Sequence, residues 1–189
     1  MKKIFIVLAA LCYLTEISAQ TDKTRIQHTV GFKTGFLFDR DMKGMHMDFQ
    51  YAYSMTPHFD VVMALTSSSG TDTKDIVVGN PQFRINSHFY ASSIEAGVRG
   101  AVGNDIWYAS LTARVGACYS FVQSYNVETD FWGYIGPVNM TITGLAEYGI
   151  HITPHLDLAV FILGGSNYHR AKTGWNSFSI GLSAAFHLR

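Results

Sequence analysis

Apolar and polar residues alternate along most of this chain. Over residues 30–38 two sets of side chains alternate: Val30, Phe32, Thr34, Phe36 and Phe38 against Gly31, Lys33, Gly35 and Leu37. Over residues 45–55 one face is wholly methionine or aromatic, whereas the other carries polar or small residues. A period of two residues places successive side chains on opposite faces of a β-strand. These two segments are therefore predicted to be strands, and the chain to be all-β.

The same alternation predicts six more strands, at residues 59–65, 90–102, 107–121, 138–152, 156–162 and 178–188. Turn-forming residues separate several of them, namely Thr56-Pro57-His58, Asn104-Asp105 and Thr153-Pro154-His155. Residues 67–70 are predicted to begin a loop. Gly79-Asn80-Pro81 interrupts any ladder, because proline lacks a backbone donor, so residues 82–87 are expected to lie outside the membrane.

Short and long connections alternate between these strands. The second, fourth and sixth connections have about three residues each, whereas the third, fifth and seventh have roughly 10–15, with the third counted up to the extension that begins at residue 82. The first connection, at residues 39–44, is the exception in being modest. All the short connections then lie at one end of the sheet. Outer-membrane barrels have this arrangement, with short periplasmic turns and longer external loops. The sequence predicts an antiparallel up-and-down transmembrane β-barrel of eight strands, with both termini in the periplasm.

The first residues have the form of a secretory signal peptide. Lys2 and Lys3 precede an apolar stretch at residues 4–14, and Ala19 stands before the polar Gln20. The stretch is shorter than the roughly 20 residues that a spanning helix needs. We therefore expect a signal peptide at residues 1–19 and a barrel at residues 20–189. Acylation at Cys12 is an alternative, although Leu11 is bulkier than the small residue usual at that position.

Charge and cysteine content exclude several classes. The formal net charge is +0, and the lysines and arginines are scattered, so no nucleic-acid partner is expected. Without the signal peptide the only cysteine is Cys118, at an inward position, so no disulfide can form within the chain. No cofactor is expected.

The last strand carries a more specific pattern. Ser179, Gly181, Ala184 and Phe186 match the polar-x-Gly-x-x-apolar-x-aromatic form of a terminal barrel-assembly signal, although His187-Leu188-Arg189 follow the aromatic. With the alternating strands, this makes the chain resemble the small eight-stranded outer-membrane barrels, the class of the OmpA-type membrane domain and OmpX. The resemblance implies contact with outer-membrane lipid and lipopolysaccharide, and insertion by the barrel assembly machinery. It brings no enzymatic motif, so a structural, adhesive or interaction role is expected.

Four charged residues fall on inward faces: Glu95, Arg99, Arg114 and Glu147. If Asn104-Asp105 is a two-residue turn, Glu95 directly opposes Arg114. Buried charges must be paired, so we interpret the four as an ion-pair cluster that plugs the lumen. A polar path for small ions or protons is the alternative. An eight-stranded barrel is just wide enough for side chains to fill, which favours the plug.

Histidines suggest a metal site or acid-base chemistry only weakly. His46, His151 and His169 lack the paired spacing of a zinc site, so no metal site is predicted. If Thr153-Pro154-His155 is a three-residue turn, His151 opposes Asp157, and we interpret this pair as solvated polarity at the periplasmic rim.

A lipid A-modifying enzyme is the alternative to a structural role. Ser166-Asn167-Tyr168-His169 is expected near the external leaflet, where Glu128 or Asp130 could supply a carboxylate. The order does not reproduce the His-x-Ser-Asn pattern of the lipid A deacylases, and a triad is recognised by geometry.

Aromatic residues are dense in the predicted loop at residues 123–137, which contains Tyr125, Phe131, Trp132 and Tyr134. Such residues on an exposed loop could bind an extracellular protein or glycan. They could equally settle at the membrane interface, because their rings are amphipathic.

Two hairpins echo each other. YAYSMTPHFDVVMAL at residues 51–65 and YGIHITPHLDLAVFIL at residues 148–163 share Thr-Pro-His at the bend and aspartate at the next inward position. Duplication, repeated selection of one turn chemistry, and coincidence are all consistent with this echo.

Overall fold

The computed structural model describes residues 28–39, 42–77, 82–126, 132–135, 138–168 and 175–188. The predicted signal peptide at residues 1–19 lies outside this part of the chain. The described strands are β1 (His28–Asp39), β2 (Met42–Thr56), β3 (Phe59–Val77), β4 (Gln82–Gly103), β5 (Trp107–Asn126), β6 (Trp132–Ile135), β7 (Asn139–Thr153), β8 (Leu156–Tyr168) and β9 (Trp175–Leu188). Among the described residues, no helix is long and apolar enough to cross a membrane.

Eight of these strands close into an antiparallel barrel. Each pairs with the next along the chain, except that β5 pairs with β7 in the wall, and β1 closes the barrel against β9. Closure leaves no unpaired edge, which hydrocarbon would not tolerate. Among the described residues, the short strand β6 pairs with the far end of β5 alone. The predicted fold, an all-β up-and-down barrel of eight strands, is confirmed.

The two faces of the wall differ as the alternation predicts. Outward residues such as Phe36, Ile94 and Leu182 are 67%, 64% and 66% exposed, and every strand of the wall contributes similar apolar side chains. Inward residues such as Leu37 are buried. Soluble monomers rarely expose contiguous apolar patches larger than a few hundred Å². An apolar surface around the whole barrel is instead typical of contact with hydrocarbon.

Several strands are longer than predicted. Residues 67–70, predicted to begin a loop, belong to β3, and residues 82–87 continue the β4 ladder down to the pair Val77–Gln82. Likewise β5 continues to Asn126, and β6 lies within the predicted loop at residues 123–137. At residues 67–70 the serines and glycine on both faces hide the period of two, but backbone pairing does not require an apolar face. Residues 82–87 were expected to lie outside the membrane because of Gly79-Asn80-Pro81, yet their ladder continues up to the residue that follows the proline. Parts of the segments predicted to be long loops are therefore paired strands.

The turn between β4 and β5 lies one residue later than predicted. The Asn104 amide donates to the Trp107 carbonyl at 2.9 Å, and Asn104 Oδ1 accepts from the amides of Ile106 and Trp107. The turn residues are consequently Asp105 and Ile106, which moves the register by two.

The predicted direct opposition of Glu95 and Arg114 is therefore wrong: Glu95 faces Gly116, and Arg114 faces Gly97. A shift of two leaves every side chain on its predicted face, whereas a shift of one would have reversed them all. The prediction that His151 faces Asp157 is confirmed.

Candidate functional site

The lumen is the candidate site because buried charges converge there. The fully or almost fully buried charged side chains near its centre are Lys33, Asp48, Glu95, Arg114 and Glu147. They come from five different strands, each at an inward position of its own alternation. Charges removed from water must be compensated within the protein.

Arg114 of β5 joins two carboxylates from different sides of the barrel. Its Nη1 donates to Asp48 Oδ2 at 2.6 Å, and its Nε lies 3.0 Å from Glu95 Oε2. Glu95 is on the neighbouring strand β4, but Asp48 is on β2, which is not adjacent to β5. The Arg114–Asp48 contact thus crosses the lumen, and it closes the interior at this level.

Hydroxyl groups complete the surroundings of Glu95. Ser93 Oγ donates to Glu95 Oε1 and Thr143 Oγ1 donates to Glu95 Oε2, both at 2.6 Å. The guanidinium Nε of Arg114 also lies 3.2 Å from Thr143 Oγ1. Hydrogen bonds of this kind satisfy the remaining lone pairs, which a buried ion pair needs to offset its desolvation cost.

A second ion pair crosses the lumen. Lys33 Nζ of β1 lies 3.5 Å from Glu147 Oε1 of β7, and these strands are not adjacent in the barrel. Lys33 also donates to Gln50 Oε1 at 3.1 Å, and Ser110 Oγ donates to Glu147 Oε2 at 3.4 Å. The two bridges together tie four separate parts of the wall across the interior.

Glycines face the charged residues across the β4–β5 ladder. Gly97 opposes Arg114, and Gly116 opposes Glu95. A Cβ added to either glycine would lie 2.0 Å from a backbone carbonyl oxygen of the partner strand, Ala113 for Gly97 and Ile94 for Gly116. The strands therefore approach too closely at positions 97 and 116 for a side chain there. The space above these two glycines is left to the side chains of Glu95 and Arg114, which meet diagonally.

Arg99 lies in a different pair from the rest of the predicted cluster. Its Nε donates to Asp60 Oδ2 at 2.6 Å, and these two residues face each other on β4 and β3. The structure thus joins Glu95 to Arg114 as neighbours, pairs Glu147 with Lys33, and pairs Arg99 with a strand neighbour near the short turns. This last pair does not cross the lumen.

Sequence reasoning missed Lys33, Asp48 and Asp60 as members of the lumen network. Each occupies the inward phase of its strand, so the alternation already contained the signal. The partners were not visible, because β2 and β5, or β1 and β7, are far apart in the chain and meet only through closure.

The aromatic residues of the predicted interaction loop are only partly described. The backbone of Tyr125 lies in β5, opposite Asn86 of β4, and those of Trp132 and Tyr134 lie in β6. These three thus belong to a strand ladder rather than to a loop. Phe131 lies outside the described residues.

Only part of the proposed enzymatic site belongs to the described part of the chain. The backbones of Ser166, Asn167 and Tyr168 form the end of β8. The other candidates, His169, Glu128 and Asp130, lie outside the described residues.

The remaining candidates occupy separate places in the lumen. His46 is buried on β2, where its Nδ1 lies 2.9 Å from Ser68 Oγ. Cys118 is a free, buried thiol beside Phe89 and Ala91.

His151 belongs to a group of three at the short-turn end. Asp157 Oδ1 lies 2.7 Å from His151 Nδ1, and Asp157 Oδ2 lies 2.7 Å from His187 Nε2. Sequence reasoning missed His187 because this residue belongs to the last strand, far from the hairpin that holds the other two.

Comparison with solved structures supports the fold. Neisserial surface protein A superposes with a TM-score of 0.62 at 11% identity, covering 87% of this chain and 98% of that protein. Ail, the attachment invasion locus protein of Yersinia pestis, superposes with a TM-score of 0.50 at 12% identity, covering 85% and 97%. Ail has also been solved in complex with sucrose octasulfate, a heparin analogue. No protein-family model and no curated protein sequence matches the chain.

Proposed function

Because the chain has the fold of the small eight-stranded outer-membrane barrels, we propose that it is an integral outer-membrane protein with a side-chain-plugged lumen. Its role is structural, adhesive or interactive, and it is neither an enzyme nor an open channel. The outer face supports the location, since apolar side chains are exposed on every strand of the wall. Outer-membrane lipid and lipopolysaccharide are then its surroundings, and the barrel assembly machinery inserts it.

The cross-lumen bridges are the observation that carries this proposal. Arg114 to Asp48 and Lys33 to Glu147 each connect strands that are not neighbours. An ion passing through would have to separate these pairs and expose buried charges, which is costly in a narrow interior. The lumen therefore acts as a polar core that holds the wall together.

The interaction surface is a sheet that rises beyond the barrel, here called the extended sheet. It comprises residues 72–77, 82–87, 119–126 and 132–135. β2 stops pairing with β3 at Thr71, and β7 stops pairing with β5 at Cys118. The β3–β4 and β4–β5 ladders continue past these points, and β6 adds a strand to β5. Such a projection offers a surface of paired strands to an extracellular protein or glycan. Because Ail was solved with a heparin analogue, a sulfated oligosaccharide is the first glycan to test.

Conductance tests the plugged lumen. The purified wild-type protein in planar lipid bilayers is expected to show no sustained single-channel current. The variant Lys33→Ala/Asp48→Ala/Arg114→Ala/Glu147→Ala, which removes both cross-lumen bridges, is expected to conduct. The matched control is Asp60→Ala/Arg99→Ala, which removes a pair between adjacent strands and should stay closed. Regular single-channel steps from the wild-type protein would contradict the plug and favour the channel.

Orientation is tested by proteolysis. The first and last described residues, His28 and Leu188, pair at the same end as the short turns, and we expect this end to face the periplasm. Proteinase K added to intact cells should therefore cut between β5 and β6, at residues 127–131, and should spare Thr56-Pro57-His58. Cleavage at the short turns of intact cells would reverse the topology. Permeabilised cells provide the control that the short turns can be cut when they are accessible.

The enzyme alternative predicts a chemical change instead. Under the proposed structural role, mass spectrometry should find the same acyl pattern in lipid A from cells with and without the protein. A changed pattern would replace the structural role with lipid modification.

A further inference from the structure

Three side chains with metal-ligand chemistry meet at the short-turn mouth of the barrel. His151, Asp157 and His187 come from the consecutive strands β7, β8 and β9. One ligand atom from each lies within 4.8 Å of the other two, and no other such group of three occurs in the part of the chain that the structure describes. Both oxygens of Asp157 are engaged, one by each imidazole, at 2.7 Å.

The spacing is close to that of a metal site. Zinc bonds to imidazole nitrogen and carboxylate oxygen are about 2.0–2.2 Å long, so tetrahedral ligand atoms lie roughly 3.3–3.5 Å apart. The two contacts of 2.7 Å would therefore have to open by less than about 1 Å. A cation between the rings and the carboxylate would replace the protons that those contacts now share.

The echo of the two Thr-Pro-His hairpins provides an internal comparison. In each, the amide of the turn histidine lies close to the threonine Oγ1, at 3.3 Å for His58 and 3.2 Å for His155. Each turn histidine also exchanges two bonds with the next strand, His58 with Ala101 and His155 with His187. His187 therefore occupies the place that alanine takes in the other hairpin.

The aspartates of the two hairpins have different partners. Asp60 faces Ser54 on one side and forms its ion pair with Arg99 on the other. Asp157 faces His151 in the position equivalent to Ser54. The same hairpin frame thus works with a serine and an alanine, so the turn itself does not require His151 and His187. The partner of Asp60 is the guanidinium of Arg99, whereas the partners of Asp157 are the two imidazoles.

The surroundings suit a bound cation. His187 Nδ1 lies 3.1 Å from Thr29 Oγ1, so the threonine can hold the ring with Nε2 directed at Asp157. Hydrogen bonds of this kind orient metal-binding histidines. The Asp157 side chain is 5% exposed, whereas that of His151 is 31% exposed, which leaves a path from solvent.

We propose that His151, Asp157 and His187 bind a divalent transition-metal ion, with Zn²⁺ as the preferred occupant and water at the fourth position. Two imidazoles and one carboxylate match the ligands that zinc takes, whereas Ca²⁺ and Mg²⁺ prefer oxygen ligands alone. The ion would join the ends of three strands at the mouth, close to the place where β9 meets β1. It would therefore stabilise the wall where the two ends of the sheet close.

Zinc titration of the tag-free, folded protein tests the site. We expect one Zn²⁺ per chain by isothermal titration calorimetry, and a higher thermal unfolding temperature with zinc than with a chelator. Thr29→Val, which removes the hydrogen bond to His187 Nδ1 and leaves all three ligands in place, should weaken binding by about 10–100-fold. Asp157→Asn and His187→Gln should weaken it further. Heat-dependent mobility on gels checks that each variant remains a folded barrel.

His58→Gln is the matched control, because His58 occupies the equivalent turn position to His155, in the hairpin whose aspartate, Asp60, pairs with Arg99 instead of with imidazoles. This variant should bind zinc as the wild type does. Absence of zinc binding by the wild type would overturn the proposal. Wild-type affinity in Asp157→Asn and His187→Gln would also overturn it, since zinc would then bind elsewhere. So would a loss of affinity in His58→Gln as large as the loss in those two variants.

Discussion

Replacing Arg114 by alanine is expected to lower the free energy of unfolding of the barrel by about 3–5 kcal/mol. The substitution leaves Asp48 and Glu95 buried without their shared cation, and an unpaired buried charge is strongly destabilising. Urea unfolding of the protein in lipid vesicles, followed by tryptophan fluorescence and gel mobility, measures the loss. Arg99→Ala is the matched control. Its pair with Asp60 is partly exposed, so water can compensate for the loss and the effect should be smaller.

A double-mutant cycle separates the ion pair from side-chain packing. Glu95→Ala/Arg114→Ala should lose less stability than the sum of the two single variants, because contacting charges couple. Recovery should be incomplete, since Asp48 also binds Arg114 and loses this partner in the double variant. Adding Asp48→Asn should recover more stability. Strictly additive losses would show that the charges do not interact, and the lumen network would then be wrong.

Replacing Val115 by arginine is expected to lower the free energy of unfolding by about 2–4 kcal/mol, the cost of an arginine at the bilayer midplane. Val115 lies midway along the wall on β5 and is 47% exposed on the outer face. Its neighbours in register are Ala96 and Ile142, so no acidic partner stands beside it. The same unfolding measurement in vesicles tests the prediction.

Ile106→Arg is the control for depth. Ile106 is 70% exposed in the short turn between β4 and β5, so arginine there should cost only about 0–1 kcal/mol. Equal losses for the two variants would mean that the outer face does not contact hydrocarbon at the level of Val115. The difference between them, rather than either value alone, measures the position of the membrane along the wall.

Sequence alternation alone determined the faces of the wall. It placed Glu95, Arg114 and Glu147 inside because the side-chain period of a strand is local and independent of partner choice. Apolar residues on one face of eight successive segments have one solution in hydrocarbon, a closed barrel, so the fold class followed as well. The pairing of His151 with Asp157 was predictable for a different reason: the length of the Thr153-Pro154-His155 turn was read correctly, and a turn of known length fixes the register close to the bend.

Only the tertiary structure decided which charges meet. One residue of error in the turn at Asn104 moved the β4–β5 register by two, and the partner of Glu95 changed from directly opposite to diagonal. The bridges from Arg114 to Asp48 and from Lys33 to Glu147 depend on closure, because they join strands that never pair. His187 reaches Asp157 only when the last strand packs beside β8. The period of two shows which face of the wall a side chain lies on. Which residue it meets across the lumen depends on the register of every strand pair between the two.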